Sequence, residues 1–151
     1  MLVLAIDQGT TNTKALIVDE AGHIHARASS PSSTQYPHPG WAEQSATGIW
    51  ENTRSVIDAV VAQMSDHGID AIAISNQRET IVAWDAQTGK PVGPAILWQC
   101  RRSAPECAAL VEAGHNETVE ALTGLCINPL FPASKLAWII KNWPEARDLL
   151  S

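Results

Sequence analysis

The sequence has no long apolar run: nothing in its 151 residues approaches the roughly 18 consecutive apolar positions of a membrane span. The opening stretch from Met1 to Ile6 is cut by Asp7 and has no basic leader, so it does not read as a signal peptide. Positive charge is scarce as well. Ten Lys and Arg face sixteen Asp and Glu, a net charge of −6, so neither nucleic acid nor an anionic membrane is expected as a partner. Local backbone amides can still hold a phosphate in an acidic protein. Cys100, Cys107 and Cys126 make no CxxC pair, and an odd number at irregular spacing suits reduced thiols and a cytoplasmic location. His23, His25, His38, His67 and His115 share no ligand spacing with these cysteines and are expected to be exposed and structurally ordinary. No repeat or low-complexity segment occurs. The Walker pattern GxxxxGK[ST] and the dinucleotide pattern GxGxxG are both missing. Asn116-Glu117-Thr118 fits the glycosylation acceptor pattern, but with no secretory signal it reads as chance.

What is present is an ordinary globular composition, 45% hydrophobic and 17% charged, in a chain long enough for one domain with a core. Leu2 to Ile6 and Ala15 to Val18 read as strands, joined by the polar turn Asp7 to Thr13. Asp19 to Gly22 reads as a hairpin turn, and Ile24 to Ser29 alternates as a third strand, giving an antiparallel opening meander. A Ser-, Pro- and Gly-rich loop runs from Ser30 to Ser45. Ile49, Trp50, Thr53, Val56, Ile57, Val60, Val61 and Met64 then predict one face of a helix, ended at Gly68. Ile69 to Ser75 follows this crossover and should pair in parallel. Ile81 to Trp84 and Ala95 to Trp98 are expected as further strands, with a turn at Asp85 to Gly89. Helices are expected at Pro105 to Glu112, Glu117 to Leu122 and Ser134 to Lys141, with a short one opened by Pro144. The plan is α/β.

The sharpest local feature is Asp7-Gln8-Gly9-Thr10-Thr11-Asn12-Thr13-Lys14, directly after the first strand. Gly9 permits a tight turn and close approach to a ligand. Thr10, Thr11 and Thr13 offer hydroxyls and amides, Lys14 adds a positive charge, and Asp7 at the strand end can hold Mg²⁺ directly or through water. Together they suit a metal-bound polyphosphate. On this segment alone, a polar turn whose hydroxyls satisfy backbone groups is an equal reading.

Asp7-Gln8-Gly9-Thr10-Thr11 resembles the first phosphate loop of the FGGY family of sugar and polyol kinases. Four further regions carry the likeness in family order. Tyr36-Pro37-His38-Pro39-Gly40-Trp41-Ala42-Glu43-Gln44 is similar to a segment of the glycerol kinase subfamily, and Ile74-Ser75-Asn76-Gln77-Arg78-Glu79-Thr80 to its polyol-binding segment. Leu97-Trp98-Gln99-Cys100-Arg101-Arg102 and Thr123-Gly124-Leu125 also resemble that subfamily. The resemblance implies a ribonuclease H-like fold of the actin, hexokinase and Hsp70 type, with residues 1–151 as the N-terminal part of the first lobe. It carries the substrate side and the first phosphate loop. The second, nucleotide-binding lobe and the aspartate general base belong to later segments, so the remaining lobe is an implied partner. The chain is thus read as a fragment or a degenerate gene product, inactive alone.

The activity so implied is ATP- and Mg²⁺-dependent phosphorylation of a primary hydroxyl of a small polyol, glycerol or a relative. By resemblance Arg78 and Glu79 bind its hydroxyls, and the chemistry agrees: a guanidinium supplies fixed donors and a carboxylate acceptors. Trp98 would face the carbon backbone, its alternative being an ordinary core indole. Gly9, Thr10, Thr11 and Lys14 would surround the phosphates and Asp7 the metal. Arg101 and Arg102 could orient Trp98 or contact the other lobe, or be solvated charges at a helix start. Trp138 and Trp143 should pack helix faces. Leu130 departs from the family, which usually has Tyr there to bind glycerol, and Pro132 stands where a small residue is usual. Lys14 stands where Arg is frequent, keeping charge but not bidentate geometry. Another sugar or sugar alcohol is therefore an alternative acceptor. A non-catalytic domain and an actin-like or Hsp70-like ATPase module are alternatives of other classes. An apolar sheet face left open, with poor solubility or a homo-oligomer, is also expected.

Overall fold

Strand alternation in the first 31 residues puts apolar side chains on one face, and a helix covers them. The computed structural model describes residues 1–64 and 68–149. It divides into two compact units, Met1–Thr34 with Gln44–Arg78, and Gln35–Glu43 with the residues from Glu79 onward. His67 lies outside the described residues.

In the first unit β1 (Leu2–Gln8), β2 (Asn12–Asp19) and β3 (Ile24–Pro31) form the expected antiparallel meander. Its second hairpin, between β2 and β3, turns at Gly22, with φ of 85°. The Asp19 carboxylate accepts the Ala21 and His23 amides, each at 2.9 Å, and meets His25 Nε2 at 2.8 Å. The His25 contact, with those amides, holds the Asp19 carboxyl well below the usual carboxylate range. The four histidines in the described residues are exposed.

Helix α1 (Ala46–Val61) starts at Ser45, whose hydroxyl accepts the Gly48 N–H at 3.1 Å. It stops at Val61 rather than Gly68. Gln63 N–H and Met64 N–H close back onto Val60 O and Val61 O, three residues away, which tightens the last turn. Val56 and Val60 bury against Leu4, Ile6, Ala15, Ile17 and Ala26. Trp50, expected on that stripe, is 63% exposed. The chain then crosses to β5 (Ala71–Asn76), parallel to β1, giving the order β3-β2-β1-β5.

β5 is unlike its neighbours in that all six residues are exposed. Ile72 and Ile74 pair with Leu4 and Ile6 and so leave the sheet on the same face. Leu4 and Ile6 are buried, whereas Ile72 and Ile74 are 64% and 70% exposed. The outer edge of β5 has no strand partner among the described residues. Such an edge with bare isoleucines is a site for self-association. Residues 1–151 expressed alone are expected to scatter light as species larger than a monomer, increasingly with concentration. An Ile72→Lys/Ile74→Glu variant should shift the mass toward the monomer, and an unchanged mass would assign the association elsewhere.

The second unit contains the two-residue strand β6 (Ala95–Ile96), and Glu43 of the equally short β4 (Glu43–Gln44). The strand expected at 81–84 reduces to isolated pairs, Ile81 with Ile96 and Trp84 with Pro91, and the one expected at 95–98 shortens to β6. Pro91 and Pro94 bring no backbone donor, so a ladder cannot extend through them. The helices follow the expected pattern: α2 (Ala104–Glu112), α3 (Asn116–Thr123), α4 (Pro132–Asn142) and α5 (Pro144–Asp148). Pro132 opens α4, a position where its missing N–H costs nothing.

Ala42, Ile96, Leu97, Cys100, Trp138, Ile139 and Ala146 make this unit's core, with Trp143 packed against it. Arg102 is not a solvated charge. It is 5% exposed and stacks on Trp41 and Trp138, 4.2 and 5.0 Å from the ring centroids. Its guanidinium also pairs with Glu43. The Gly40-to-Glu43 segment therefore supplies one wall of a buried cation site, which is why Trp41, Glu43 and Arg102 occur together.

Candidate functional site

β1 and β5 run parallel, so both deliver their carboxyl ends to the same end of the sheet, where open α/β sheets place ligands. The Gly9 loop leaves β1 there and the Gln77-Arg78 segment leaves β5 there. Gly9 N–H donates to Asn12 O at 3.0 Å, and a Cβ on Gly9 would stand 2.8 Å from that oxygen. Two glutamines from distant segments clamp the loop. Gln77, 7% exposed, donates Nε2 to Gly9 O at 3.2 Å and to Gln44 Oε1 at 3.0 Å, and its Oε1 accepts from the Thr10 hydroxyl at 3.4 Å. Gln44, 2% exposed, donates Nε2 to Thr10 O at 2.7 Å. Thr11 O accepts the Ser32 N–H at 2.8 Å.

Four consecutive loop carbonyls, from Gly9 to Asn12, are thus tied to the protein. In a planar trans peptide the N–H points opposite its C=O. The amides of Thr10, Thr11 and Asn12 therefore each point away from the group that holds the preceding carbonyl.

Asp7 and Lys14 are directly opposed in the antiparallel ladder, and Ser75 is the parallel partner of Asp7. All three are exposed and leave the sheet on one face. Thr13 behaves differently from the expectation. It is 0% exposed, on the face of Ala15 and Ile17 that packs under α1, and its hydroxyl has no partner among the described residues. A ligand reaching Thr10 and Lys14 does not reach Thr13.

The boundary between the two units falls between Arg78 and Glu79. On the first side, exposed Arg78 directly follows the clamping Gln77. On the second, Glu79 has a left-handed φ of 66°, unusual for a side-chain-bearing residue and costing about 1–2 kcal/mol. Thr80 Oγ1 accepts the Trp98 N–H at 3.2 Å, which places the 41% exposed Trp98 beside the Glu79 turn. Lys135 of α4, 0% exposed, donates Nζ to Glu79 O at 2.8 Å and also to Leu130 O. Burial pushes the pKa of Lys135 below the usual lysine range. Glu79, Trp98 and Leu130 are thereby joined within one unit. Arg101 is exposed, its N–H bonded to Gly40 O at 2.8 Å.

Sequence reasoning assigned no role to Gln44, Gln77 or Lys135. Lys135 had a readable signal: it shares the i, i+3, i+4 stripe of α4 with Trp138 and Ile139, where an apolar residue belongs. The glutamines had none, since their burial depends on each other across 33 positions.

Among the described residues no three His, Cys, Asp or Glu groups converge as a metal cage, and no helix is long and apolar enough to cross a membrane. A single exposed carboxylate at Asp7 still fits Mg²⁺, which takes one or two carboxylates and fills its shell with water and substrate phosphates.

The family model for the N-terminal domain of the FGGY family of carbohydrate kinases matches residues 2–150. A glycerol kinase of Ectopseudomonas mendocina is 45% identical over 97% of this chain and 30% of its own length. A crystal structure of Plasmodium falciparum glycerol kinase with ADP superimposes with a TM-score of 0.91 at 31% identity, over 97% of this chain and 30% of that one. A xylulose kinase of Rhodospirillum rubrum does so at 0.89 and 28%, over the same shares. The chain thus spans about a third of the length of the relatives it matches.

Proposed function

Because the chain belongs to the FGGY family of carbohydrate kinases, we propose that the protein containing it transfers the γ-phosphoryl group of ATP to a primary hydroxyl of a small polyol, glycerol first. The observation that carries this reading is the Gln77 bridge. One buried amide ties the Gly9 loop to the residue before Arg78, so a phosphate on that loop and an alcohol on Arg78 belong to the same end of the sheet. Relatives named glycerol kinase at this identity support the acceptor class.

In this reading the Thr10 and Thr11 amides and hydroxyls and the Lys14 ammonium hold the phosphoryl oxygens as charge shifts between them. Phosphoryl transfer needs mainly such positioning and electrostatic stabilisation. Asp7 would hold Mg²⁺, which supplies charge neutralisation to the phosphates when bound. By the resemblance, Arg78 would donate to and Glu79 accept from the polyol hydroxyls, and Trp98 would cover its carbon chain. The resemblance puts the general base and the second lobe in later segments. Residues 1–151 are accordingly the substrate side and first phosphate loop of the first lobe, and do not turn over alone.

Leu130 favours a second acceptor. An aliphatic side chain there donates no hydrogen bond where the family usually has Tyr, a difference of about 0.5–1.5 kcal/mol for one hydroxyl. A longer sugar alcohol that gains its contacts elsewhere fits this change. Coupled ADP-release assays of the full-length protein with glycerol and four- and five-carbon polyols decide between them. Glycerol is expected to give the highest kcat/KM, and Leu130→Tyr to raise it about three- to tenfold. Preference for a five-carbon polyol would move the assignment to the second reading, and no polyol-dependent ADP release would end both.

A further inference from the structure

We infer that Lys135 is a positioning residue for the acceptor, setting the Glu79 carboxylate by holding the Glu79 peptide through a buried ammonium bridge to Leu130. This deepens the proposed function and rests on its assignment of Glu79 to the acceptor.

The first ground is conformational. Glu79 has a φ of 66°, a region that residues with a Cβ leave unless their surroundings fix them. The peptide after Glu79 carries the carbonyl that Lys135 Nζ binds at 2.8 Å, so the cation acts on the strained residue itself. The second ground is burial. Lys135 is 0% exposed on a stripe shared with Trp138 and Ile139, a position where an apolar residue would pack without desolvating a charge. A cation there meets that cost through what it bonds, and its two carbonyl partners belong to Glu79 and Leu130. The third is that the same turn anchors Trp98, through Thr80 Oγ1. One ammonium thus sets a turn that carries one proposed acceptor contact and braces a second. The ammonium is tetrahedral and its donors can diverge to two carbonyls, which a planar or uncharged head does not reproduce.

The test uses the full-length protein with Lys135→Met, Glu79→Ala and the double variant, measuring KM for the polyol and for ATP separately. Lys135→Met is expected to raise the polyol KM at least tenfold and change the ATP KM less than twofold. In the Glu79→Ala background the same substitution should change the polyol KM less than twofold, because the group it positions is gone. Equal rises in both KM values, or full additivity in the double variant, overturn the inference and leave the role of Glu79 standing. An unchanged polyol KM in Glu79→Ala alone overturns the acceptor role of Glu79, and this inference with it. Should Lys135→Met fail to fold, Lys135→Arg carries the test. It keeps a buried cation but not the bridge, and a three- to tenfold rise confined to the polyol KM is expected. No rise, or equal rises in both, overturns the inference.

Discussion

Arg78→Ala in the full-length protein is expected to lower kcat/KM for the polyol by about 100-fold or more, with the ATP KM nearly unchanged. Arg78 is exposed beside the clamped loop and ends no helix or strand, so little folding energy rides on its side chain. What the substitution removes is a set of donors aimed at hydroxyls. A hydrogen bond to a charged group contributes about 1.5–3 kcal/mol, and two together reach about 3 kcal/mol or more. At about 1.4 kcal/mol per decade that is two orders of magnitude. Initial rates at varied polyol and saturating ATP give the value directly, and calorimetric titration of polyol gives the binding part alone. A loss under fivefold would remove Arg78 from the acceptor site.

Gly9→Ala should do the complementary damage. Its added Cβ would lie 2.8 Å from Asn12 O, a backbone atom that cannot swing aside as a side-chain tip does. The loop must open, and the 3.0 Å bond from Gly9 N–H to that same oxygen is what closes it. The amides of Thr10 and Thr11 then shift relative to the phosphates, and a displacement near 1 Å can cost about 100-fold in rate. The expected result is a fall of about 50- to 100-fold in kcat/KM for ATP, with polyol affinity retained. A variant that lost both substrates equally would show the loop to be a general folding element instead.

These two variants rest on a site that was partly legible in the sequence. The meander, α1 and the parallel return of β5 follow from alternation and from one amphipathic stripe, both local signals. The tight turn at Gly9 and the exposed ends of Asp7 and Lys14 were readable for the same reason. Thr13 was misplaced because a loop pattern was carried two residues into β2, where the pleat turns its side chain under α1. The burial of Arg102, and the carbonyls that meet the buried Lys135, were hidden for a different reason. A long cation is buried only when distant groups meet it, here the indoles of Trp41 and Trp138 for one and the carbonyls of Glu79 and Leu130 for the other. Neither set adjoins its cation in sequence. The clipped strands after Ile81 failed on Pro91 and Pro94, which composition shows but periodicity does not weigh.

The left-handed backbone at Glu79 also narrows what natural variation can try there. Branching at the β-carbon would crowd that conformation, so Val, Ile and Thr are closed to position 79, while Gly, Asn and Asp remain open. Homologues that retune their choice of alcohol should therefore keep a short menu at this position and diversify at Leu130 and Trp98 instead. A saturation library over the three positions would reveal it as a sharp difference in tolerated residues.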